Sequence, residues 1–368
     1  MNYKELDTPA LIVDKKIMME NIRSMQSYAN RNNVSLRPHT KTHKMPYIAI
    51  IQEQCGAKGI TVAKVGEAEV MAENGLKDIF IANEIVGTEK FKRIRALSEK
   101  ANISFGIDSI PQVEMVEKAF ENADKKAVVL IEIEVGENRS GIIEDNDFID
   151  LIKFLKSCKN IVFQGIFSHE GHSYSSASEE ECFEMFMTSQ KRTLSFARLA
   201  EDNGLKCNTV SIGATPTMMH DFPILPGITE IRPGTYVFMD ASQGNHISSY
   251  SRCAATVMTT VISKPTSVRV ITDVGAKGIT MQTRSQGMCA TKGLGVIKNY
   301  NNVNIDQVYD EHAIIYNKMF HDSVNIGDKI EIIPNHICPV VNLHEEAYFI
   351  DDGEVLEIVP ILCRGKLK

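Results

Sequence analysis

Between residues 34 and 231, short runs rich in β-branched and aromatic residues alternate with stretches whose apolar positions repeat at helical spacing. The runs VSLR (34–37), ITVA (60–63), IFIA (79–82), ISFGI (103–107), VVLIEIEV (128–135), IVFQGIF (161–167), NTVSI (208–212) and ITEI (228–231) predict eight strands. Among the intervening helices, Val65, Ala68, Met71 and Ala72 share a face closed by Asn74-Gly75, and Glu179 to Gly204 is periodic up to a second Asn-Gly. Eight β/α units predict a (β/α)8 TIM barrel in the α/β class, with a doubly wound open sheet as the alternative. Ahead of them, PALIVD predicts a strand and then a helix with Met18, Ile22, Met25 and Ala29 on one face. After about residue 236 the pattern becomes β-runs separated by turns (CAATVMTTVIS, SVRVITDV, HAIIYN, DKIEIIPN), with no strong helix. The expected organisation is a barrel over residues 14–235 and a β-domain over 236–368, with residues 1–13 adding a strand to the latter.

Composition narrows the function. The 368 residues are 43% hydrophobic and 24% charged, which fits a globular protein with an ample core. A net charge of −7 with scattered Lys and Arg lacks the basic footprint of a nucleic-acid binder. The start, MNYKELDTPALIVD, has no basic stretch followed by an apolar one, and glutamates interrupt the richest apolar run, so a cytoplasmic protein without a membrane partner is expected. Eight cysteines without CxxC spacing read as reduced thiols.

Barrel enzymes place their chemistry at the carboxyl ends of strands, and two strand ends here carry unusual sequences. LRPHTKTHK follows the first strand, and SIGATPT, whose small residues let backbone N–H groups approach a phosphate, lies at the seventh. A strand-end lysine facing a phosphate loop suits pyridoxal phosphate, since the amine forms a Schiff base while the loop anchors the cofactor's tail. His39, Lys41 and His43 are equally compatible with a hydrogen-bonded loop. His336 and Cys338, two apart in a β-rich segment, would project to one face of a strand and could share a metal ion, or pack in the core.

Taken together and in order, LDTPALIVD, LRPHTKTHK, IANEIVG, EVGENRSGI, SHEGHSY, EIRPGTYVFMD and PNHICPVVNLHE resemble the D-threonine aldolase and D-serine dehydratase family of fold-type III pyridoxal phosphate enzymes, relatives of alanine racemase. The resemblance spans nearly the whole chain. It implies an alanine racemase-like barrel with a C-terminal β-domain and a homodimer. It makes Lys41 the Schiff-base residue, with Lys44 and Lys64 as rivals, and places Arg139 and Tyr174 beside the cofactor. Ser211, Gly213, Thr215 and Tyr236 would hold its phosphate, and His169 or His172 would serve the substrate hydroxyl as base.

The same resemblance implies that His336 and Cys338 bind a catalytic divalent metal. Thiolate softness favours zinc, with manganese or magnesium as alternatives. Aldolases of the well-known type carry His-x-Asp, whereas D-serine dehydratases carry His-x-Cys with zinc, so Cys338 counts against the aldolase assignment. An imidazole near the substrate hydroxyl leans the other way. The implied activity is retro-aldol cleavage of a D-3-hydroxy amino acid to glycine and an aldehyde, with dehydration of D-serine to pyruvate and ammonia as the alternative.

Overall fold

The computed structural model describes residues 1–368, and eight parallel strands curl into the expected barrel. In spatial order these are Ser35–Leu36, Glu230–Ile231, Thr209–Ile212, Ile161–Ser168, Ala127–Ile133, Asn102–Ile107, Asp78–Glu84 and Ile60–Val62. Backbone bonds cross the seam between the first and last of them: Lys58 N–H donates to Leu36 O (2.9 Å), Thr61 N–H to Pro38 O (2.8 Å) and Thr40 N–H to Thr61 O (2.8 Å). Those bonds make the sheet a barrel and not an open doubly wound one.

Helices cover the outside. The Lys15–Arg31 helix starts where Asp14 accepts a hydrogen bond from Ile17 N–H, and it buries Met18, Ile22, Met25 and Ala29 on one face, as their spacing predicts. Each of the larger side chains contributes roughly 1.5–3 kcal/mol by leaving water. The Glu179–Asp202 helix is capped by Ser178 and ends at Asn203 and Gly204, whose positive φ of 82° glycine tolerates. No α-helix separates the seventh and eighth strands; a 3-10 turn at Pro216–Met218 takes its place.

Alternation along the strands separates two apolar sets. Ile79, Ile81, Val129, Ile131 and Ile166 belong to the main core, between sheet and helices. Phe80, Leu130 and Phe167 form a separate cluster inside the barrel, with the two rings edge to face at 5.0 Å. Gly106 makes room for it, because a Cβ there would lie 2.9 Å from the Phe167 ring.

The remaining strands form a second, mostly antiparallel sheet. The Ala10–Asp14 strand lies within it, antiparallel to Ala255–Ser263 and parallel to Glu346–Asp351. Helices do interrupt this region, at Ala241–His246, Lys318–Ser323 and Ile337–Leu343. At six or seven residues each, they are too short to leave a clear helical period in sequence.

Candidate active site

A cavity of about 280 Å³ opens at the carboxyl ends of the barrel strands. Its wall includes His39, Lys41, Asn83, Glu84, Glu132, Arg139, His169, Tyr174, Thr215 and Arg232. Alternation aims these groups inward. Glu84 lies four residues beyond Phe80, Glu132 two beyond Leu130 and His169 two beyond Phe167, so the apolar cluster is the cavity's floor.

The lysines of the first motif separate. Lys41 lines the cavity, and burial lowers its pKa; Cys338 opposes that shift and Arg139 adds to it. Lys44, at a positive φ of 56°, turns into the core and pairs with buried Glu67. Lys64 N-caps the Val65–Glu73 helix and does not reach the cavity. The histidines divide likewise. His39 is on the wall, whereas His43 is fully buried between Met45 N–H (3.1 Å) and Gln52 (3.3 Å).

His169 and His172 also part company. The His169 Nδ1 is bonded to the Gly213 carbonyl, so Nδ1 carries the proton and Nε2 keeps its lone pair. Burial holds its pKa well below the usual imidazole value, with Lys41 adding to the effect, so the ring is neutral. The chain then enters a 3-10 turn at Gly171–Ser175, which carries His172 out of the cavity and over Gly136, where a Cβ would lie 2.9 Å from its ring.

Arg139 faces both Glu132 (3.6 Å) and Glu137 (3.3 Å). Glu84 and Glu132 form an acidic pair on the wall; burial and the adjacent Glu132 push the Glu84 carboxyl far up, so the pair holds a proton. Tyr174 lies under the Arg284 guanidinium, 4.1 Å from its ring centre.

The four residues expected around phosphate do not act together. Thr215 lines the cavity, and its buried hydroxyl has no hydrogen-bond partner. Gly213 also lines it, and a Cβ there would lie 2.9 Å from the Arg232 backbone, but its N–H donates to Glu170 (3.3 Å). Ser211 and Tyr236 are off the wall. The Ser211 hydroxyl donates to Glu230 (2.7 Å) and accepts from Arg232 (2.6 Å), while Tyr236 accepts from Gln52 (2.9 Å) in the core. Gly234 and Thr235 stand on the wall in their stead. The lysine, the arginine and the orphaned Thr215 hydroxyl between small residues fit a phosphorylated pyridine aldehyde.

His336 and Cys338 are not on a strand. His336 is the N-cap of the Ile337–Leu343 helix and Cys338 lies in its first turn, because Ile337, Val340 and Val341 pack into the core at helical spacing. Neither is on the cavity wall, but Cys338 meets the barrel beside Thr42 and Thr235. Cys338 Sγ donates to Thr42 Oγ1 (3.3 Å), and His336 Nδ1 meets Gln282 Oε1 (2.9 Å). No cluster of three or more His, Cys, Asp or Glu is present, so a metal held here would complete its shell with water or substrate. One imidazole and one thiol fit a borderline-soft divalent ion.

Arg232, Glu84 and Glu132 complete the wall, and the sequence alone does not single them out. Their signal lies in "ITEIR", "LIEIEV" and "IFIANE", where charges interrupt or end strands that are otherwise apolar.

The alanine racemase N-terminal domain family matches residues 13–242, and the serine dehydratase domain family matches residues 254–350. The chain belongs to the alanine racemase N-terminal domain family. Within this family it is 32% identical to D-threonine aldolase of Arthrobacter sp, over 98% of this chain and 93% of the relative. It is 27% identical to D-serine dehydratase of Dictyostelium discoideum, over 96% of each. The structure of D-threonine aldolase from Filomicrobium marinum superposes with a TM-score of 0.90 at 29% identity, covering 100% of this chain and 98% of that one. This family member is an enzyme, a pyridoxal phosphate-dependent lyase. No helix is long and apolar enough to cross a membrane.

Proposed function

We propose that the protein is a lyase of the D-threonine aldolase type, cleaving a D-3-hydroxy amino acid between Cα and Cβ to glycine and an aldehyde. The observation that carries this reading is the shared cavity of Lys41 and His169, in which the imidazole has a free Nε2 lone pair. The 32% identity to an aldolase supports it. When bound, pyridoxal phosphate on Lys41 supplies an electron sink for the bond broken at Cα, and a divalent ion on His336 and Cys338 supplies a Lewis acid for the hydroxyl.

The chain's own groups do the rest. His169 takes the 3-hydroxyl proton at Nε2, so the O–H electron pair forms the aldehyde C=O as the Cα–Cβ bond breaks and its pair stays on Cα. Thr215, Gly234 and Thr235 hold the phosphate. Arg139, fixed between Glu132 and Glu137, offers its guanidinium to the cofactor's ring oxygen. The proton kept by Glu84 and Glu132 removes one negative charge from the wall, which lessens repulsion of the substrate carboxylate.

A second reading rests on one residue. Cys338 offers a soft thiolate, which suits zinc-dependent dehydration of D-serine, with Lys41 removing the α-proton. Product analysis with D-threonine and D-serine, each with zinc or manganese, tests both readings. Glycine from D-threonine supports the aldolase; pyruvate from D-serine without glycine from D-threonine overturns it in favour of the dehydratase. A homodimer is part of the proposal, and light scattering checks it.

A further inference from the structure

The barrel contains a second cavity, of about 300 Å³, at the opposite end from Lys41. Its wall is built from the first residues of the strands, including Asp78, Ser104, Val128 and Thr209, together with Arg37 and Glu230. Phe80 and Leu130 line it from within, so the apolar cluster that floors the upper cavity is also the inner end of this one. Four cationic side chains, Arg37, Lys58, Lys125 and Lys126, face two carboxylates, Asp78 and Glu230. Both carboxylates are already bonded to Arg37, at 2.8 Å each. The three lysines form no ion pair, and Lys125 gives one hydrogen bond to the Ser98 carbonyl (2.8 Å). In a chain of net charge −7 this is a local positive excess around an apolar end wall.

A chain of buried hydrogen bonds joins the two cavities. Arg37 Nε donates to Glu230 Oε2 (2.8 Å), Ser211 Oγ donates to Glu230 Oε1 (2.7 Å) and Arg232 Nη1 donates to Ser211 Oγ (2.6 Å). Arg37 and Glu230 line the lower cavity and Arg232 the upper one. The Arg232 guanidinium also rests 5.2 Å from the Phe167 ring centre and 5.8 Å from that of Phe80. Arg37 is tightly seated, since a Cβ on Gly59 would lie 2.7 Å from its Nη1. Every link is buried, so a change in the field at Arg37 is transmitted with little screening by water.

We propose that the lower cavity is an effector site for a small organic carboxylate with a compact apolar body. The carboxylate meets Lys58, Lys125 and Lys126 at the mouth, and the apolar body rests on Phe80, Val128 and Leu130. Its negative charge next to Arg37 weakens the hold of Arg37 on Glu230. Glu230 then draws harder on Ser211, and Arg232 shifts at the floor of the catalytic cavity. Occupancy below is thereby read as a change in substrate affinity above.

Calorimetric titration of the holoenzyme with benzoate tests the site, with benzamide as the uncharged control. Benzoate binds and benzamide binds roughly ten-fold or more weakly, because a charge-assisted hydrogen bond is lost. The double variant K58E/K126E, in two exposed side chains, weakens benzoate by roughly ten-fold or more and leaves turnover without benzoate unchanged. Saturating benzoate shifts KM for the D-hydroxy amino acid by about five-fold or more in the parent and not in that variant. Absence of a binding signal, equal binding of benzamide, undiminished binding in K58E/K126E or an unchanged KM would each overturn the proposal. Calorimetry reads the site whichever lyase reaction the upper cavity performs, so failure here leaves the aldolase reading standing.

Discussion

The barrel lines the catalytic cavity, whereas the second region borders it through Arg284 over Tyr174 and Cys338 beside Thr235, and the two present their groups differently. The barrel uses strand ends: Glu84 and Glu132 lie near the ends of their strands, paired with Gly106 and Phe167 of a neighbour, while His169 and Arg232 come one residue beyond theirs, with Arg232 N–H still bonded to Ile212 O (2.8 Å). The second region uses the ends of short elements. His336 is a helix N-cap, Cys338 lies in a first turn, and Gln282 and Arg284 sit in a segment without regular structure. A group on a ladder is held by the sheet itself, whereas one on a turn is held by what it touches, here Thr42 for Cys338 and Tyr174 for Arg284. On the proposed function, the barrel anchors the cofactor and starts the proton traffic, and the second region polarises the hydroxyl and can be altered without losing the cofactor.

The largest effect expected from breaking this division is at Lys41. Lys41→Ala should lower turnover by at least about 10⁴-fold and abolish the visible absorbance of lysine-bound cofactor, while Lys44→Ala and Lys64→Ala keep that absorbance. Next in size is the metal pair. Chelation, or His336→Ala, should lower turnover roughly a thousand-fold with the cofactor absorbance and the cooperative melt nearly intact. A chelated enzyme that unfolds would mean that the metal serves the fold. Third, His169→Gln should lower kcat by about 10²-fold to 10⁴-fold, whereas His172→Gln should stay within about two-fold, as measured by steady-state kinetics.

The sequence carried the barrel and its strand ends well, because period-2 runs and Asn-Gly stops are local signals. It carried the phosphate region less well. Ser211 was plausible as a small strand-end hydroxyl, but only the folded barrel brings Glu230 and Arg232 to either side of it. Tyr236 similarly depends on Gln52, 184 residues away in the chain. The spacing of His336 and Cys338 in a β-rich segment predicts a strand. Spacing of two is shared by strands and helix starts, and burial of Ile337, Val340 and Val341 decides between them only in the folded protein. The signal at Glu84 is weak, since a single carboxyl at a strand end reads as an ordinary solvated charge until folding brings Glu132 beside it.

A smaller effect follows from pH. Burial lowers the pKa of His39 and His169, and brings His43 down to about 3, so the folded barrel keeps all three neutral. The unfolded chain takes up their protons below about pH 6.5, so the stability they contribute is intact above that value and is lost as pH falls from there toward their lowered values. Urea midpoints at pH 7.5, 6 and 5 should decrease in that order. Smallest of all, Arg284→Ala should raise KM only a few-fold, since stacking of a half-buried guanidinium on Tyr174 contributes about 0.5–1 kcal/mol.

The division between the two regions is tested most directly by borohydride reduction and peptide mapping of the parent and of His336→Ala side by side. The account predicts the reduced cofactor on Lys41, in equal yield in both proteins. Label on Lys44 or Lys64, or loss of label from the His336→Ala protein, would contradict it.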